Sequence, residues 1–459
     1  MLAVVDAAGS GVTVVRDRLG GRVAYWGRLE HLVAVSDRAE IVAEVVGSRT
    51  EENPRFLAHF FALKGGAPVG QSAFRGVNEL VPGGCLTIDG RVLKRTESHF
   101  PSRRRWRFPP QWIEAFYEAF RTAVSDAVGG HESIAVMLSG GMDSAPIMAV
   151  AREILEQQYR RPVAVSWAFP GYPASDESRW IIEASDFARV ERRMFRADEF
   201  LPFSSLGADL VSPGSPALNP FRLTINACYH SAAAAGCSVV LNGSRGDLLY
   251  SNYPYLLYDL IRRRDFPNLW RELGGLIARN GLRNTMHNPM ARYAVSRLLG
   301  RTPREPPAPE WLTPWACSHL DANQLWPPES NDYPFPRYAA TLLGSPMSYG
   351  PAQENEFAQR IGIERREPFQ SSRLIRLMLE APVLMSHNRQ LSKWIMTQAM
   401  DGRLPASVRL KPRTGRLDEI YKKGFMDSRE KDTTCPTRVS IRFNGSLHQN
   451  ARACRGGVG

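Results

Sequence analysis

The chain has few cysteines, and no pattern joins them. Six occur in 459 residues, and none forms a Cys-x-x-Cys pair or lies in a histidine-rich stretch. This spacing excludes a disulfide-stapled secreted domain and gives no indication of a zinc site. We expect small, buried, apolar thiols. The six are Cys85, Cys228, Cys237, Cys317, Cys435 and Cys454.

Long apolar runs are also missing. No stretch approaches the roughly 18 residues that a membrane-spanning helix needs. The start of the chain, Met1 to Asp6, lacks the basic region that opens a signal peptide. These absences predict a cytoplasmic chain with no membrane partner. With 459 residues, 43% of them hydrophobic, the chain is long enough for two domains with sizeable cores.

Lysine is scarce, although the chain is strongly basic. Only seven of the 58 basic residues are lysines, and the net charge is +12. Such a charge attracts an acidic partner, which could be a nucleotide, a nucleic acid or an acidic peptide. The arginine runs at 103–105 and 262–264 lack the interleaved aromatic residues that stack on bases, so we do not expect a nucleic-acid partner.

One segment has the composition of a phosphate-binding loop. The apolar stretch Val136 to Leu138 leads into Ser139, two glycines, Met142, Asp143 and Ser144. Adjacent glycines bring backbone N–H groups close to an anion, and the two hydroxyls and a following helix N-terminus add donors. A carboxylate beside phosphate requires a cation between them, so Asp143 is a candidate Mg²⁺ ligand. The alternative is an ordinary strand-to-helix turn. The predicted ATP-binding residues here are Leu138, Ser139, Gly140, Gly141, Asp143 and Ser144.

Helical and strand-like patterns alternate around this loop. We predict helices over 112–128 and 145–158 and strands over 133–138 and 163–169, which indicates a doubly wound parallel sheet. A further apolar strand, 238–241, leads into Gly243 and Asp247. Because the carboxyl ends of parallel strands meet at one edge, Asp143 and Asp247 are predicted to hold Mg²⁺ together, with Gly243 at the nucleotide.

The Ser-Gly-Gly-x-Asp-Ser loop resembles the pyrophosphatase loop of the N-type ATP pyrophosphatases. The Asp247 segment resembles the block Leu-Ser-Gly-Glu-Gly-x-Asp-Glu-Leu-Phe-Gly-Gly-Tyr of that superfamily, but Ser244, Arg245 and Leu248 replace its Glu, Gly and second acid. Two further segments, around Glu364 and Lys411, follow in the family's order. The chain therefore resembles the asparagine synthetase/β-lactam synthetase family.

The resemblance also implies a domain organisation. Residues 1–100 are strand-rich and resemble the second half of an Ntn-type glutamine amidotransferase domain. The family's nucleophilic cysteine is not found there, because position 2 is Leu2. We expect this partial domain to be followed by a linker at 101–110, a synthetase domain at 111–425 and a disordered tail at 426–459.

Catalytic roles follow from the same resemblance. Glu364, in a segment like Glu-x-Arg-x-Pro-Phe, would be the general base that deprotonates the attacking amine; the alternative is a structural Glu–Arg pair. The loop around Lys411 resembles the one that stabilises the adenylation transition state, although Lys411 and Arg413 are swapped relative to the family. Arg and Lys are not interchangeable at phosphate, so either could be the catalytic cation.

Other parts of the resemblance are less specific. Asp176 and Glu177 match a family acidic pair, or else they open a helix. Tyr333 or Tyr338 would supply the tyrosine that pairs with a glutamate in β-lactam synthetases, or else each is an ordinary core or surface residue.

The implied function is ATP- and Mg²⁺-dependent amide formation through an adenylated carboxylate, with release of AMP and pyrophosphate. Because no glutaminase nucleophile is present, we favour a lasso-peptide cyclase that forms a macrolactam on a precursor peptide. Its implied partners are a leader-binding protein and a protease. The alternatives are a β-lactam synthetase, an asparagine synthetase lacking its N-terminus, a tRNA-modifying ligase and an inactive peptide-binding scaffold.

Overall fold

The structure is a computed structural model, and it describes most of the chain. The described residues are 2–5, 11–62, 70–89, 92–97, 112–203, 214, 216, 219–250, 255–299, 312–320, 349–380, 384, 393–411, 415 and 417–434. The predicted linker 101–110, Tyr333, Tyr338 and Arg413 lie outside these residues.

The N-terminal region folds into two antiparallel sheets with two short helices. One sheet has the order β1-β2-β6-β7 and the other has the order β4-β3-β5. Alternating apolar and polar residues in these strands allow each sheet to bury one face. The elements are β1 (Leu2–Val5), β2 (Gly11–Val15), β3 (Tyr25–Leu29), β4 (Leu32–Ser36), α1 (Ala39–Val45), α2 (Pro54–Ala62), β5 (Val77–Glu79), β6 (Gly84–Asp89) and β7 (Val92–Glu97). The likeness of this region to an amidotransferase domain stays a prediction.

The next region alternates helices and strands, as the sequence pattern predicts. Its elements are α3 (Trp112–Val128), β8 (Ile134–Met137), α4 (Ser144–Glu156), β9 (Val163–Ala168), α5 (Ser178–Ala188), β10 (Glu191–Arg196), α6 (Arg222–Ala234) and β11 (Val239–Leu241). The predicted bounds of α3 agree with the observed ones, and the other predicted elements agree within two residues.

Mainly helical segments complete the described chain. They are α7 (Gly246–Tyr250), α8 (Leu256–Arg262), α9 (Phe266–His287), α10 (Pro289–Leu298), α11 (Pro314–Ser318), α12 (Tyr349–Arg360), β12 (Glu364–Arg366), a 3₁₀ turn (Pro368–Gln370), α13 (Ser372–Glu380), α14 (Trp394–Ala399), α15 (Ala406–Arg409) and α16 (Asp418–Thr434). No helix among the described residues is long and apolar enough to cross a membrane.

The central sheet is parallel and has the strand order β10-β9-β8-β11-β12. The prediction of a parallel α/β sheet is confirmed. The connections run outward from β8 in one direction and from β11 in the other, so the order reverses between these two strands. In such sheets ligands bind at this reversal, beside the carboxyl ends of the strands.

Both faces of this sheet are buried. On one face, Ile134 and Val136 of β8 join a large core with α3, α4 and α5. On the other face, Ala135 of β8 and Val240 of β11 pack with residues of α6 and α12. Alternate strand residues point to opposite faces, so the short apolar strands serve both layers. The sheet is therefore a rigid base for the loops at its edges.

The last helix differs from the expected organisation. The sequence predicts that the synthetase domain ends at residue 425 and that a disordered tail begins at 426. Instead, α16 continues to Thr434. Asp418 and Glu419 in its first turn favour the helix dipole, and Lys423 pairs with Asp427 one turn later at 2.6 Å. Residues 435–459 lie outside the described chain.

Candidate active site

The predicted phosphate-binding loop, Ser139 to Ser144, connects β8 to α4 at the carboxyl edge of the sheet and is called the phosphate loop below. Gly140 has a φ of +67°, and a Cβ at this position would lie 2.8 Å from the Cβ of Trp180 and 2.9 Å from the amide nitrogen of Ile181. Only glycine fits such a close approach with this backbone conformation. The loop is therefore pressed against the start of α5.

Two serine hydroxyls are held together inside this loop. The amide of Ser139 donates to Oγ of Ser144 at 3.0 Å, and the two hydroxyl oxygens also lie 3.0 Å apart. Ser144 opens the 13-residue helix α4, whose N-terminal dipole favours an anion. The predicted residues Ser139, Gly140, Gly141 and Ser144 thus form one turn. Leu138 directly follows β8, and its amide donates to the carbonyl of Val165 in β9; its role at the nucleotide stays a prediction.

Asp143 lies at the centre of the site. Its Oδ1 accepts a hydrogen bond of 2.7 Å from the hydroxyl of Tyr250, and its Oδ2 lies 2.5 Å from Nζ of Lys393. Burial raises the pKa of Asp143 above its ordinary value, and the positive charge of Lys393 opposes that rise. The carboxylate is therefore held by two donors that come from later parts of the chain.

Asp247 faces Asp143 across the reversal in strand order. It follows β11, as Asp143 follows β8, and its Oδ1 lies 2.8 Å from Nζ of Lys393. Gly243 allows the two loops to touch, because a Cβ there would lie 2.7 Å from the Cβ of Asp143. The structure thus brings the three predicted residues Asp143, Asp247 and Gly243 together.

Lys393 is a site residue that the sequence analysis did not single out. Burial lowers its pKa, but the two carboxylates outweigh this effect, and the pKa lies above the ordinary value. Its backbone has a φ of +59°, which is unusual for a residue with a side chain. One sequence signal existed, the scarcity of lysine, because only seven lysines occur in the chain.

The donors at this site fit a magnesium ion bound with a nucleotide. Two carboxylates from neighbouring loops converge on one positive group, the ammonium of Lys393. No group of three or more His, Cys, Asp or Glu side chains that could hold a metal occurs in the described part of the chain. Mg²⁺ in nucleotide sites typically takes one or two carboxylates and completes its shell with phosphate oxygens and water. Asp143 and Asp247 meet that requirement.

Lys411 lies beside the phosphate loop. Its ammonium is 4.1 Å from the ring centroid of Trp180, the residue that packs against Gly140, and it also pairs with Glu177. Glu177 additionally accepts a 2.8 Å hydrogen bond from the amide of Gly415. Glu177 therefore holds both described ends of the loop 411–415.

The neighbouring acid of this pair, Asp176, has a structural role. It accepts hydrogen bonds from the amide of Phe169 at 2.9 Å and from the hydroxyl of Ser178 at 2.6 Å. These bonds fix the turn between β9 and α5. Of the two acids that the resemblance pairs, only Glu177 reaches a basic residue of the candidate site.

Glu364 is not part of this group. It begins β12 and is level with Val239, the first residue of β11, so it lies toward the amino edge of the sheet. Its carboxylate pairs with Arg22 at 2.9 Å and with Arg366 at 3.1 Å. Burial raises the pKa of Glu364, but Arg366 and Arg22 outweigh it, and the pKa is lowered. A lowered pKa makes a carboxylate a weaker base. Its general-base role stays a prediction.

A cavity adjoins Glu364. It measures about 520 Å³ and lies between the N-terminal region, represented by Arg22 and Arg38, and α12, represented by Asn355 and Glu356. Its lining carries both positive and negative groups. Because it lies on the amino-edge side of β12, it is separate from the phosphate loop.

Comparison with known proteins gives one family. A family model described as asparagine synthase matches residues 115–439, which is more than half of the chain. No curated protein matches this chain. Among solved structures, the chain is similar to the U34-tRNA thiolase NcsA from Methanococcus maripaludis, determined with its [4Fe-4S] cluster. The match has 10% identity over 69% of this chain and 79% of that chain, with a TM-score of 0.26.

Proposed function

The chain belongs to the asparagine synthase family of ATP-dependent amide-forming ligases, and we propose that it adenylates a carboxylate of a peptide and joins it to an amine of the same peptide. The products would be a macrolactam, AMP and pyrophosphate. This is the reaction type of a lasso-peptide cyclase.

One observation carries the adenylation part of the proposal. Lys393 contacts both Asp143 and Asp247 at the point where the strand order reverses. The Ser139–Ser144 turn and the N-terminus of α4 lie beside them. Donors, one cation and two metal-binding carboxylates at one sheet edge are suited to a magnesium nucleotide. A bound Mg²⁺ would supply positive charge to the β- and γ-phosphates.

The chain's own residues have distinct tasks in the first step. A substrate carboxylate oxygen attacks the α-phosphorus of ATP, the bond from that phosphorus to the bridging oxygen breaks, and pyrophosphate leaves. Lys393 neutralises charge on the departing phosphates. Lys411, once released from its pair with Glu177, neutralises charge at the α-phosphoryl group. Preorganised cations of this kind are among the larger contributions to catalysis.

The second step forms the amide. The amine nitrogen attacks the acyl carbon and gives up a proton to solvent, the bond from that carbon to the phosphate-linked oxygen breaks, and AMP leaves with one oxygen of the original carboxylate. Holding the amine near the adenylate supplies the proximity that an intramolecular closure needs. The proposal does not require Glu364 to accept the proton, because Glu364 lies at the other edge of the sheet.

The surface of α8 to α10 supports an acidic peptide as the substrate. In residues 255–299, Asp259 and Glu272 are buried and Asp265 is half-buried, so no acidic side chain of this stretch is exposed. The exposed arginines of the same stretch are Arg262, Arg263, Arg264, Arg271, Arg279, Arg283 and Arg292. A positive surface close in sequence to Asp247 would attract a peptide that carries Asp or Glu.

The source of the amine is the other half of the proposal. The sole cysteine within residues 1–100 is Cys85. It lies inside β6, paired with Val15 of β2, and is half-buried. A cysteine within a strand is poorly placed to act as a glutaminase nucleophile. We propose that the nitrogen comes from the peptide, and the parallel assay with aspartate and ammonia described next tests this choice.

Product analysis tests the proposal. The full chain is incubated with Mg²⁺, ATP and peptides that carry an N-terminal amine and an internal Asp or Glu, and in parallel with aspartate plus ammonia. We expect pyrophosphate release with a peptide and a product lighter than that peptide by one water. Release only with aspartate and ammonia would overturn the peptide assignment in favour of asparagine formation. Release with neither would favour a binding scaffold.

A further inference from the structure

Arg245 occupies an unusual position in the candidate active site. It lies between Gly243 and Gly246, and both glycines pack directly against Asp143. Its φ is +70°, a left-handed conformation that is costly for a residue with a Cβ. The family block has a glycine here. An arginine at such a position requires interactions that compensate for the strained backbone.

The side chain of Arg245 leaves the site and reaches the N-terminal region. Its Nη1 donates a hydrogen bond of 3.2 Å to the carbonyl oxygen of Leu19. Burial lowers the pKa of Arg245, and the nearby carboxylates of Glu367 and Asp17 oppose that change. The guanidinium therefore connects the loop that carries Asp247 to a turn more than two hundred residues earlier in the chain.

The turn that receives Arg245 is itself well ordered by hydrogen bonds. The carboxylate of Asp17 accepts from the amides of Leu19 at 3.0 Å, Gly21 at 3.0 Å and Arg22 at 3.1 Å. The side chain of Leu19 is buried in the large core of the synthetase region. Asn355 of α12 donates to the carbonyl of Gly21 at 2.8 Å. The 17–22 turn is thus docked firmly beside the sheet.

We propose that Arg245 is a positioning residue that fastens the Asp247 loop to the 17–22 turn and so sets the placement of Asp247 relative to Asp143. The N-terminal region would then contribute to binding of magnesium nucleotide, independently of any glutamine hydrolysis. This inference rests on the proposed function, in which the two carboxylates hold Mg²⁺ with ATP.

The test separates metal-dependent from metal-independent nucleotide binding. Calorimetry on the full chain measures the affinity for α,β-methylene-ATP with Mg²⁺ and for AMP without metal. Arg245→Met removes the donor but keeps a long side chain, and it should weaken binding of the magnesium complex about tenfold or more, as outer-shell changes at metal sites do. AMP affinity should stay within about twofold. Arg245→Lys, which can still donate to Leu19, should restore most of the loss.

A second variant probes the receiving turn. Asp17 is exposed, so Asp17→Ala should fold, and it should weaken binding of the magnesium complex in the parent chain but not further in Arg245→Met. Additive losses would overturn the inference. Equal losses of AMP and magnesium-complex affinity, or unchanged binding in Arg245→Met, would also overturn it. No binding of the magnesium complex by the parent chain would instead refute the proposed function.

Discussion

The ammonium group of Lys393 lies 2.5 Å from Oδ2 of Asp143 and 2.8 Å from Oδ1 of Asp247. These carboxylates follow two strands that are neighbours in the sheet but are separated by about a hundred residues in the chain. One positive group therefore joins the two loops at the reversal in strand order, where α/β sheets bind ligands. Under the proposed function, the phosphates of the nucleotide would lie beside this group.

Replacing Lys393 should impair adenylation strongly. Lys393→Gln removes the charge that would face the phosphates, and we expect pyrophosphate exchange into ATP to fall about 100-fold or more. The matched control is Lys423→Gln, because Lys423 is an exposed helical lysine that pairs with Asp427. That variant should keep the parent rate. Similar rates in the two variants would contradict a phosphate-binding role.

Tyr250 offers a change of a single atom. Tyr250→Phe removes the hydroxyl that donates to Asp143 at 2.7 Å and restores the phenylalanine of the family block. The Mg²⁺ concentration that gives half-maximal exchange should rise about tenfold, since this hydroxyl orients a metal-binding carboxylate. Tyr258→Phe, which affects a hydroxyl near Arg297, is the control. An unchanged Mg²⁺ requirement in Tyr250→Phe would remove Tyr250 from the site.

The pair formed by Glu177 and Lys411 should matter to the rate more than to nucleotide affinity. Glu177→Gln weakens both anchors of the 411–415 loop, and we expect kcat for pyrophosphate release to fall about tenfold with little change in KM for ATP. Lys411→Met should lose more, about 100-fold. Glu156→Gln is the control, because Glu156 is an exposed residue of α4 that pairs with Arg152 one turn earlier. A larger loss in Glu177→Gln than in Lys411→Met would contradict this order.

Replacing Glu364 distinguishes the general-base role that the family resemblance implies from the structural role that its position in the sheet indicates. Because Glu364 lies toward the amino edge of the sheet and pairs with Arg22, we expect Glu364→Gln to change both exchange and amide formation by less than about threefold. Parallel assays of the two steps check this expectation. A loss of amide formation of about 100-fold with normal exchange would restore Glu364 as the general base.

A buried ion network should control acid stability. Glu354 accepts hydrogen bonds from Arg222 at 3.0 Å and from Asn219 at 2.9 Å. Burial raises the pKa of Glu354, but Arg222 and its other partners outweigh it, and the pKa lies below the ordinary 4.5. The stabilisation is therefore present above pH 4.5 and is lost as the pH falls through the lower folded pKa.

Removing this charge tests the network. Glu354→Gln should destabilise the chain by about 3 kcal/mol at pH 7, because Arg222 would remain buried without its counter-charge. The difference from the parent should shrink in acid. Glu356→Gln on the same helix, where Glu356 pairs with Arg360 nearer the surface, should cost less than about 1 kcal/mol. Denaturation at pH 7 and pH 4 would reveal the effect, and equal stability of the two variants would contradict it.

Local patterns predicted the parallel sheet and the proximity of two candidate site residues. The periodicity of apolar residues predicted the bounds of α3. The rule that parallel strands end at one edge predicted that Asp143 and Asp247 would lie close together. Lys393 could not be placed in this way, because 250 residues separate it from Asp143 and only the packing of α14 brings it back. The position of Glu364 in the sheet was also beyond what its sequence motif could predict. A motif identifies a strand, but the register of β12 against β11 decides which end of the sheet each residue reaches.

The effect of a substitution within a family block also could not be predicted without the structure. The sequence shows only that Arg245 replaces a glycine of the family block. Its contact with Leu19 depends on how the N-terminal region packs against the synthetase region. The extension of α16 beyond residue 425 depends on local pairs such as Lys423 with Asp427, in a stretch whose composition favours disorder. The contact of Arg245 with Leu19 is tertiary and could not be predicted from local patterns, whereas the pair in α16 is local.

Isotope transfer tests the central claim most directly. A substrate peptide with ¹⁸O in its Asp or Glu carboxylate is incubated with the chain, Mg²⁺ and ATP, and the phosphorus products are analysed by mass spectrometry. Adenylation at the Asp143–Asp247–Lys393 site predicts one ¹⁸O in AMP for each amide formed, with none in pyrophosphate, and no transfer with Asp143→Asn. Recovery of ¹⁸O in inorganic phosphate together with ADP would contradict the account.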